Sequence, residues 1–184
     1  IGAHGTDIEL LERCNDLCRR LCILRPPLEE AQSGLSALTE HTPQYAPWNI
    51  LLGYGIAPAF FSPLFGGGIA DSVCALIGGL AVGFCLLYGS RLMGSNGFFR
   101  TAICSAVASL VSLLLVHIGL GHNLDTVTIS VLMVLVPGVA LTNAMREIMA
   151  GDIISGLSRA ADSILTAAAI AIGSPVGLAI SQIF

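Results

Sequence analysis

Asn143, Arg146, Glu147, Asp152, Ser155, Arg159, Asp162 and Thr166 set an amide, two guanidiniums, three carboxylates and two hydroxyls into one short stretch, and nothing else in the chain compares. Their spacing orders them. Asn143, Arg146 and Glu147 fall at i, i+3 and i+4 on one helix face, and Ser155, Arg159, Asp162 and Thr166 recur at helical spacing along a second. Gly151-Asp152 between them supplies a turn and an N-cap for the second helix. Just upstream, Val136-Pro137-Gly138 interrupts an apolar run. Proline removes a backbone donor, so a helix can break there and expose the carbonyls and helix-end amides that hold ions or carboxylates in membrane transporters. This chemistry suits binding of a zwitterion or an anion. No HExxH, no GxSxG and no histidine lies in the cluster, so no catalytic residue, metal site or cofactor is expected.

The elements that must carry these residues are membrane helices. Stretches 41–70, 72–90, 101–124, 126–145 and 163–184 contain no Asp, Glu, Lys or Arg. A crossing needs roughly 20 apolar helical residues for a core of about 30 Å, and backbone amides in lipid must be satisfied within helices or closed barrels. No period-two alternation marks a barrel. With 54% hydrophobic and 11% charged residues and a mean hydropathy of +0.83, the chain is far from a soluble average of about 25% charged. The expected fold is all-α, polytopic, with five transmembrane helices at about 48–66, 69–90, 99–120, 126–146 and 155–183, preceded by a short cytosolic helical hairpin in 1–46.

Charge sets orientation and excludes partners. All 8 basic residues are arginines. Arg13, Arg19, Arg20 and Arg25 precede the first span, Arg91 and Arg100 bracket the second link, and Arg146 and Arg159 surround the fourth. The links around Gly66-Gly67-Gly68 and around Gly121-His122-Asn123-Leu124-Asp125 have none. Positive residues accumulate in short cytoplasmic loops, so five crossings place the N-terminus in the cytoplasm and the C-terminus outside. A net charge of −4 offers no phosphate-binding surface, and nucleic acid is not an expected partner. The opening at Ile1, without a Met or a charged leader before an apolar segment, reads as missing upstream sequence rather than a cleaved signal.

In the cytosolic piece Thr6-Asp7-Ile8-Glu9 reads as a capping box, and Ile8, Leu11, Cys14, Cys18 and Leu21 give an apolar helix face. Pro26-Pro27 ends that helix and starts the next, with Glu29 and Glu30 placed against its dipole; His41 to Pro47 is linker. Cys14, Cys18 and Cys22 at i, i+4 and i+8 are core packing by default rather than a zinc knuckle. No disulfide framework is expected from Cys74, Cys85 and Cys104 in the spans. Gly79 and Gly83 provide the small-x-x-x-small spacing of close helix packing in lipid, as do Ser105, Ala108, Ser109 and Ser112 in the third span. In the last helix, Arg159 and Asp162 have two readings. At its wet end Arg159 snorkels to headgroups, whereas deeper placement makes each charge costly enough to require a function. Gly173-Ser174-Pro175 is read as a kink that draws them inward.

The segment LVPGVALTNAMREIMAGDIISGLSRAADSILTAAAIAIG, Leu135 to Gly173, resembles the signature of the threonine/serine exporter family. Pro137, Gly138, Asn143, Arg146, Gly151, Asp152, Gly156 and Arg159 match its pattern; Glu147 stands for the more typical aspartate and Asp162 for a glutamate, both keeping charge. The resemblance covers nearly the whole chain, with Thr6 to Trp48 similar to the end of the family's cytosolic segment. It implies export of a small hydrophilic metabolite across a bacterial cytoplasmic (inner) membrane: threonine and serine in fused ten-span members, succinate in a split system. It also implies that a five-span chain is half a transporter, needing a second, smaller membrane subunit of the family or copies of itself. No GxxxxGK[ST] loop is present, so proton coupling is the simplest expectation. Asp162 or Glu147 would titrate, and Arg159 or Arg146 would anchor the substrate's carboxylate. The competing reading is a non-transporting anchor or assembly subunit whose hairpin recruits partners and whose charges only set topology.

Overall fold

A computed structural model describes residues 8–24, 27–40, 45–89 and 96–181. They form helices and no strands: α1 (Ile8–Leu24), α2 (Leu28–Glu40), α3 (Pro47–Leu64), α4 (Ile69–Gly89), α5 (Gly97–His117), α6 (Leu124–Leu132) running into a 3-10 turn at Met133–Leu135, α7 (Gly138–Met149) and α8 (Ile153–Ser181). The chain divides into two compact units, Ile1–Gln44 and Tyr45–Phe184.

In the first unit, α1 and α2 pair, with the Leu17 side chain against Gly34. The Pro27 carbonyl accepts from Glu30 and Ala31 at 3.1 and 3.2 Å, so α2 begins where the proline fixes φ. Cys14, Cys18 and Cys22 are all exposed, which corrects the expectation of core packing. Paired with α2, α1 buries only part of its apolar stripe, and Leu11 and Ile23 are exposed as well. The capping box at Thr6 and Asp7, Arg25, Arg91 and most of the 41–47 linker lie outside the described residues.

In the second unit, α4, α5 and Ile153–Ala179 of α8 are each long and apolar enough to cross a membrane. Leu124–Leu135 and Gly138–Met149 pass the same test together as one span bent by 52°. The helix in the place of the first expected span, α3, has 18 residues, begins with Pro47, Trp48 and Asn49, and carries Pro58 and Pro63 inside it; it is not among them. Length and apolarity therefore support three crossings, or four with the bent pair.

Small residues let these helices approach. A Cβ on Gly79 would run into the Tyr54 carbonyl and Pro58, and one on Gly83 would meet the Tyr54 Cβ at 2.7 Å, so α3 lies directly on α4. A Cβ on Gly173 would strike the Ala102 carbonyl and the Ser105 hydroxyl, and one on Gly177 the Ala106 carbonyl, which holds α8 on α5 with both running the same way. Without a hydrophobic drive between helices in lipid, such backbone proximity is a main source of association. Ser105, Ser109 and Ser112 are fully buried and donate back to the carbonyls of Ala102, Ser105 and Ala108, while the Ser109 and Ser174 hydroxyls meet at 2.8 Å across α5 and α8. Around Ala75, Val82, Cys104, Ala108 and Val131 the core is likewise of small side chains. Gly173-Ser174-Pro175, where a kink was expected, lies inside α8, which is helical through to Ser181. Close packing on α5 at Gly173 and Gly177 keeps that segment helical despite the missing donor.

One buried charge ties the end of the bundle opposite the arginines. Asp71, third residue of α4, is 1% exposed. Its carboxylate accepts from the Gly68 amide at 3.1 Å, closing the first turn of its own helix, and from the His122 and Asn123 amides of the α5–α6 link at 2.7 and 3.2 Å. Three amides at a helix N-terminus replace the water that a buried carboxylate loses. Gly121 passes so close that a Cβ there would sit 3.1 Å from the Cys74 sulfur.

Candidate functional site

The broken span begins the site. The 3-10 turn ends at Val136, whose amide donates to the Met133 carbonyl. Pro137, at φ −79° and ψ 55°, then caps α7 from Gly138 onward. Pro137 has no amide to continue the ladder, and the Gly138 amide turns back to the Val136 carbonyl at 2.8 Å. No atom lies within 4 Å of where a Gly138 Cβ would be, so the break is set by the backbone and not by crowding.

Beyond it, α7 and α8 form an elbow. Gly151, at φ 96°, takes the left-handed conformation that ends a helix, and the Gly151 and Asp152 amides donate to the Ile148 and Glu147 carbonyls at 3.1 and 3.0 Å. The Asp152 carbonyl accepts from Gly156 at 3.0 Å, so Asp152 starts α8 through its main chain. Gly156 is buried where α8 crosses α7; its Cβ would sit 2.8 Å from the Ala144 carbonyl and 2.6 Å from Ile148.

That contact gathers part of the predicted cluster. Glu147, on α7, receives Arg159 Nη1 at 3.2 Å on one carboxylate oxygen and the Ser155 hydroxyl at 3.0 Å on the other. The Arg159 side chain is 59% exposed and Glu147 27%, so water screens the pair and its Coulomb energy is modest. Asn143 is half-buried, and Arg146 and Asp152 are exposed. The Asn143–Arg146–Glu147 face therefore reaches α8 by an ion pair only through Glu147.

Asp162 and Thr166 belong to a different place. They line an open cavity of about 380 Å³ against the first turn of α5, formed there by Asn96, Gly97, Phe98, Arg100 and Thr101, with Leu165 as an apolar wall. Asn96 caps α5 by accepting from the Phe98 amide at 3.2 Å. The Thr166 hydroxyl donates to the Asp162 carbonyl and the Thr101 hydroxyl to that of Gly97, each at 3.0 Å. Arg100 Nε is buried without a hydrogen-bond partner. Among the described residues no ion pair joins Arg100 or Asp162 to anything. The polar face of α8 thus serves two neighbours, α7 through Ser155 and Arg159, and α5 through Asp162 and Thr166. Sequence reasoning missed Arg100, because it reads there as a topology marker, and missed Asp71, because its partners are backbone amides that leave no side-chain signal. No group of three or more His, Cys, Asp or Glu is placed to hold a metal among the described residues.

The sequence matches the threonine/serine exporter family, ThrE, over residues 1–181. It is 23% identical over 190 residues to the threonine/serine exporter of Corynebacterium glutamicum, an alignment covering 100% of this chain and 38% of that protein, so the chain spans well under half of its relative's length. No solved structure matches the chain. A match that runs through the broken span, the elbow and the α5–α8 cavity alike shows that this chain belongs to the threonine/serine exporter family.

Proposed function

We propose that the chain is the larger subunit of a secondary transporter that exports a small hydrophilic metabolite, threonine or serine or a dicarboxylate such as succinate, from a bacterial cytoplasm. The observation that carries this reading is the span broken at Pro137 and followed by an elbow whose charged groups meet across two helices, Glu147 with Ser155 and Arg159. A helix meant only to anchor has no use for a 52° break between apolar halves, whereas discontinuous helices in transporters free backbone groups for solute and ion. In this reading α3 joins the other four as a fifth crossing, the arginine-rich links face the cytoplasm and the C-terminus lies outside. The chain works in the inner membrane, coupled to protons.

A relative more than twice as long supports the need for further spans. A second, smaller subunit of the family, or another copy of this chain, supplies them. The exposed apolar side chains along the elbow, among them Met149 at 85% and Ile154 at 88%, offer that partner or the lipid a surface. Membership of an exporter family supports transport rather than catalysis.

Arg159→Lys separates transport from anchoring. Lysine keeps the positive charge but not the rigid guanidinium that sets Nη1 against Glu147. Efflux of labelled threonine, serine and succinate from cells is expected to fall by about tenfold, a barrier change of about 1.4 kcal/mol, while the amount of protein in the membrane stays the same. Unchanged efflux at unchanged abundance would favour the anchor.

A further inference from the structure

We propose that the cavity between α5 and α8 is a two-point binding site for a small zwitterion, with Arg100 taking the carboxylate and Asp162 the ammonium. The inference rests on the exporter reading and fixes where and how the solute is held. It also moves the carboxylate anchor from Arg159 and Arg146, which the sequence favoured, to a residue on another helix.

Charge is the first argument. Arg100 and Asp162 both line the cavity, and among the described residues no ion pair joins either to the other or to a third charge; the Arg100 charge also lies near Tyr54 of α3 and Cys104 of its own helix. Opposite charges set on two helices without closing on each other leave room for a ligand that bridges them. Arg100 Nε is buried and lacks an acceptor, while the residue as a whole is only half-buried, so a solute in the cavity would meet the guanidinium through its terminal nitrogens, which can hold a carboxylate by two parallel hydrogen bonds. Asn96 stands beside it with its side-chain oxygen committed to the Phe98 amide, which leaves its NH₂ to donate.

Hydrogen-bond polarity is the second. The Thr101 and Thr166 hydroxyls both spend their protons on carbonyls of their own helices, so each presents lone pairs to the cavity. With the Asp162 carboxylate they make three acceptor groups, matching the three N–H bonds of an ammonium. A dicarboxylate would place its second anion against Asp162 and two lone-pair-bearing hydroxyls, a like-charge and acceptor–acceptor clash. At about 380 Å³ the cavity is at the small end of ligand sites, which suits an amino acid with a short side chain. Asp162 in this arrangement is a ligand-binding carboxylate.

Competition against export of labelled threonine, from liposomes holding the chain with its second subunit, tests this assignment. Two analogues each lack one charge: 1-amino-2-propanol has no carboxylate, and 3-hydroxybutyrate has no ammonium. On the unaltered protein both should compete at least about tenfold worse than threonine, since each leaves one buried or charged partner unmet. Asp162→Asn should lower threonine export by about tenfold and remove the disadvantage of 3-hydroxybutyrate; Arg100→Gln should do the same for 1-amino-2-propanol. Asp162→Glu and Arg100→Lys, which keep charge, should retain the original ranking and separate loss of recognition from misfolding. If threonine is exported but every variant ranks the analogues as the unaltered protein does, the cavity is not the site, and the exporter reading survives. A preference for succinate over threonine would overturn the zwitterion assignment. Absence of export by the unaltered assembly would instead overturn the exporter reading.

Discussion

Replacing Val136-Pro137-Gly138 with three alanines is expected to lower export by more than tenfold while leaving membrane insertion intact. Alanine restores the amide that proline lacks and the intrinsic helix preference that glycine weakens. The apolar halves on either side, Leu124–Leu135 and Gly138–Met149, could then join as one straight helix. Straightening would swing the second half away from the bend that brings Glu147 to Ser155 and Arg159. Apolarity rises, so insertion is not penalised. Gly138→Ala alone should be mild, because nothing lies within 4 Å of the added methyl and alanine suits the first turn of α7. Efflux of labelled threonine, serine and succinate, scaled to protein in the membrane, reads the difference. Full activity of the triple variant would make the break a feature of folding alone.

The largest effect on stability is expected at Gly173→Leu. A Cβ there already runs into the Ala102 carbonyl and the Ser105 hydroxyl, and a leucine adds three more carbons between backbones that touch. Overpacking usually costs about 1–3 kcal/mol; here the obstacle is backbone, which cannot rotate away, so the loss should reach the upper end or exceed it. Separation of α5 from α8 would also pull Ser109 from Ser174 and open the cavity that contains Arg100 and Asp162. Little folded protein should survive extraction in mild detergent, by size-exclusion profile and thermal unfolding. Gly53→Leu is the control, since nothing lies within 4 Å of that position in α3 and its side chain would point into open space; it should behave like the unaltered chain. Equal loss from both would mean that the close approach at Gly173 has no special weight.

Features encoded locally were legible in the sequence. The break at Val136-Pro137-Gly138 was readable because a missing donor acts on its own helix, and the turn at Gly151-Asp152 because a left-handed residue needs a glycine. The existence of these helices followed from charge-free runs, though α4, Ile69–Gly89, and α5, Gly97–His117, start ahead of them and take in Asp71 and Arg100. What depended on the neighbour of a helix was not legible. The regular spacing of Ser155, Arg159, Asp162 and Thr166 places them on one face, yet it does not tell that the face passes from α7 to α5 halfway along. Arg100 and Asp162 are 62 positions apart, and no pattern within either helix links them. Gly173, four residues before Gly177, has small-residue spacing, but which helix it packs on could not be read from α8 alone. Asp71, framed by two apolar stretches, gave no sign that amides about fifty positions away would bury it.

The central claim, that these helices hold a route for a small solute rather than an anchor, is tested most directly by export from liposomes. Liposomes holding the chain, with and without a candidate second subunit, would be loaded with labelled threonine, serine or succinate under an imposed proton gradient. The account predicts efflux that requires the subunit or a second copy, follows the gradient, collapses when it is dissipated, and favours threonine or serine. No efflux of any of the three from either preparation, with both inserted and folded, would contradict it.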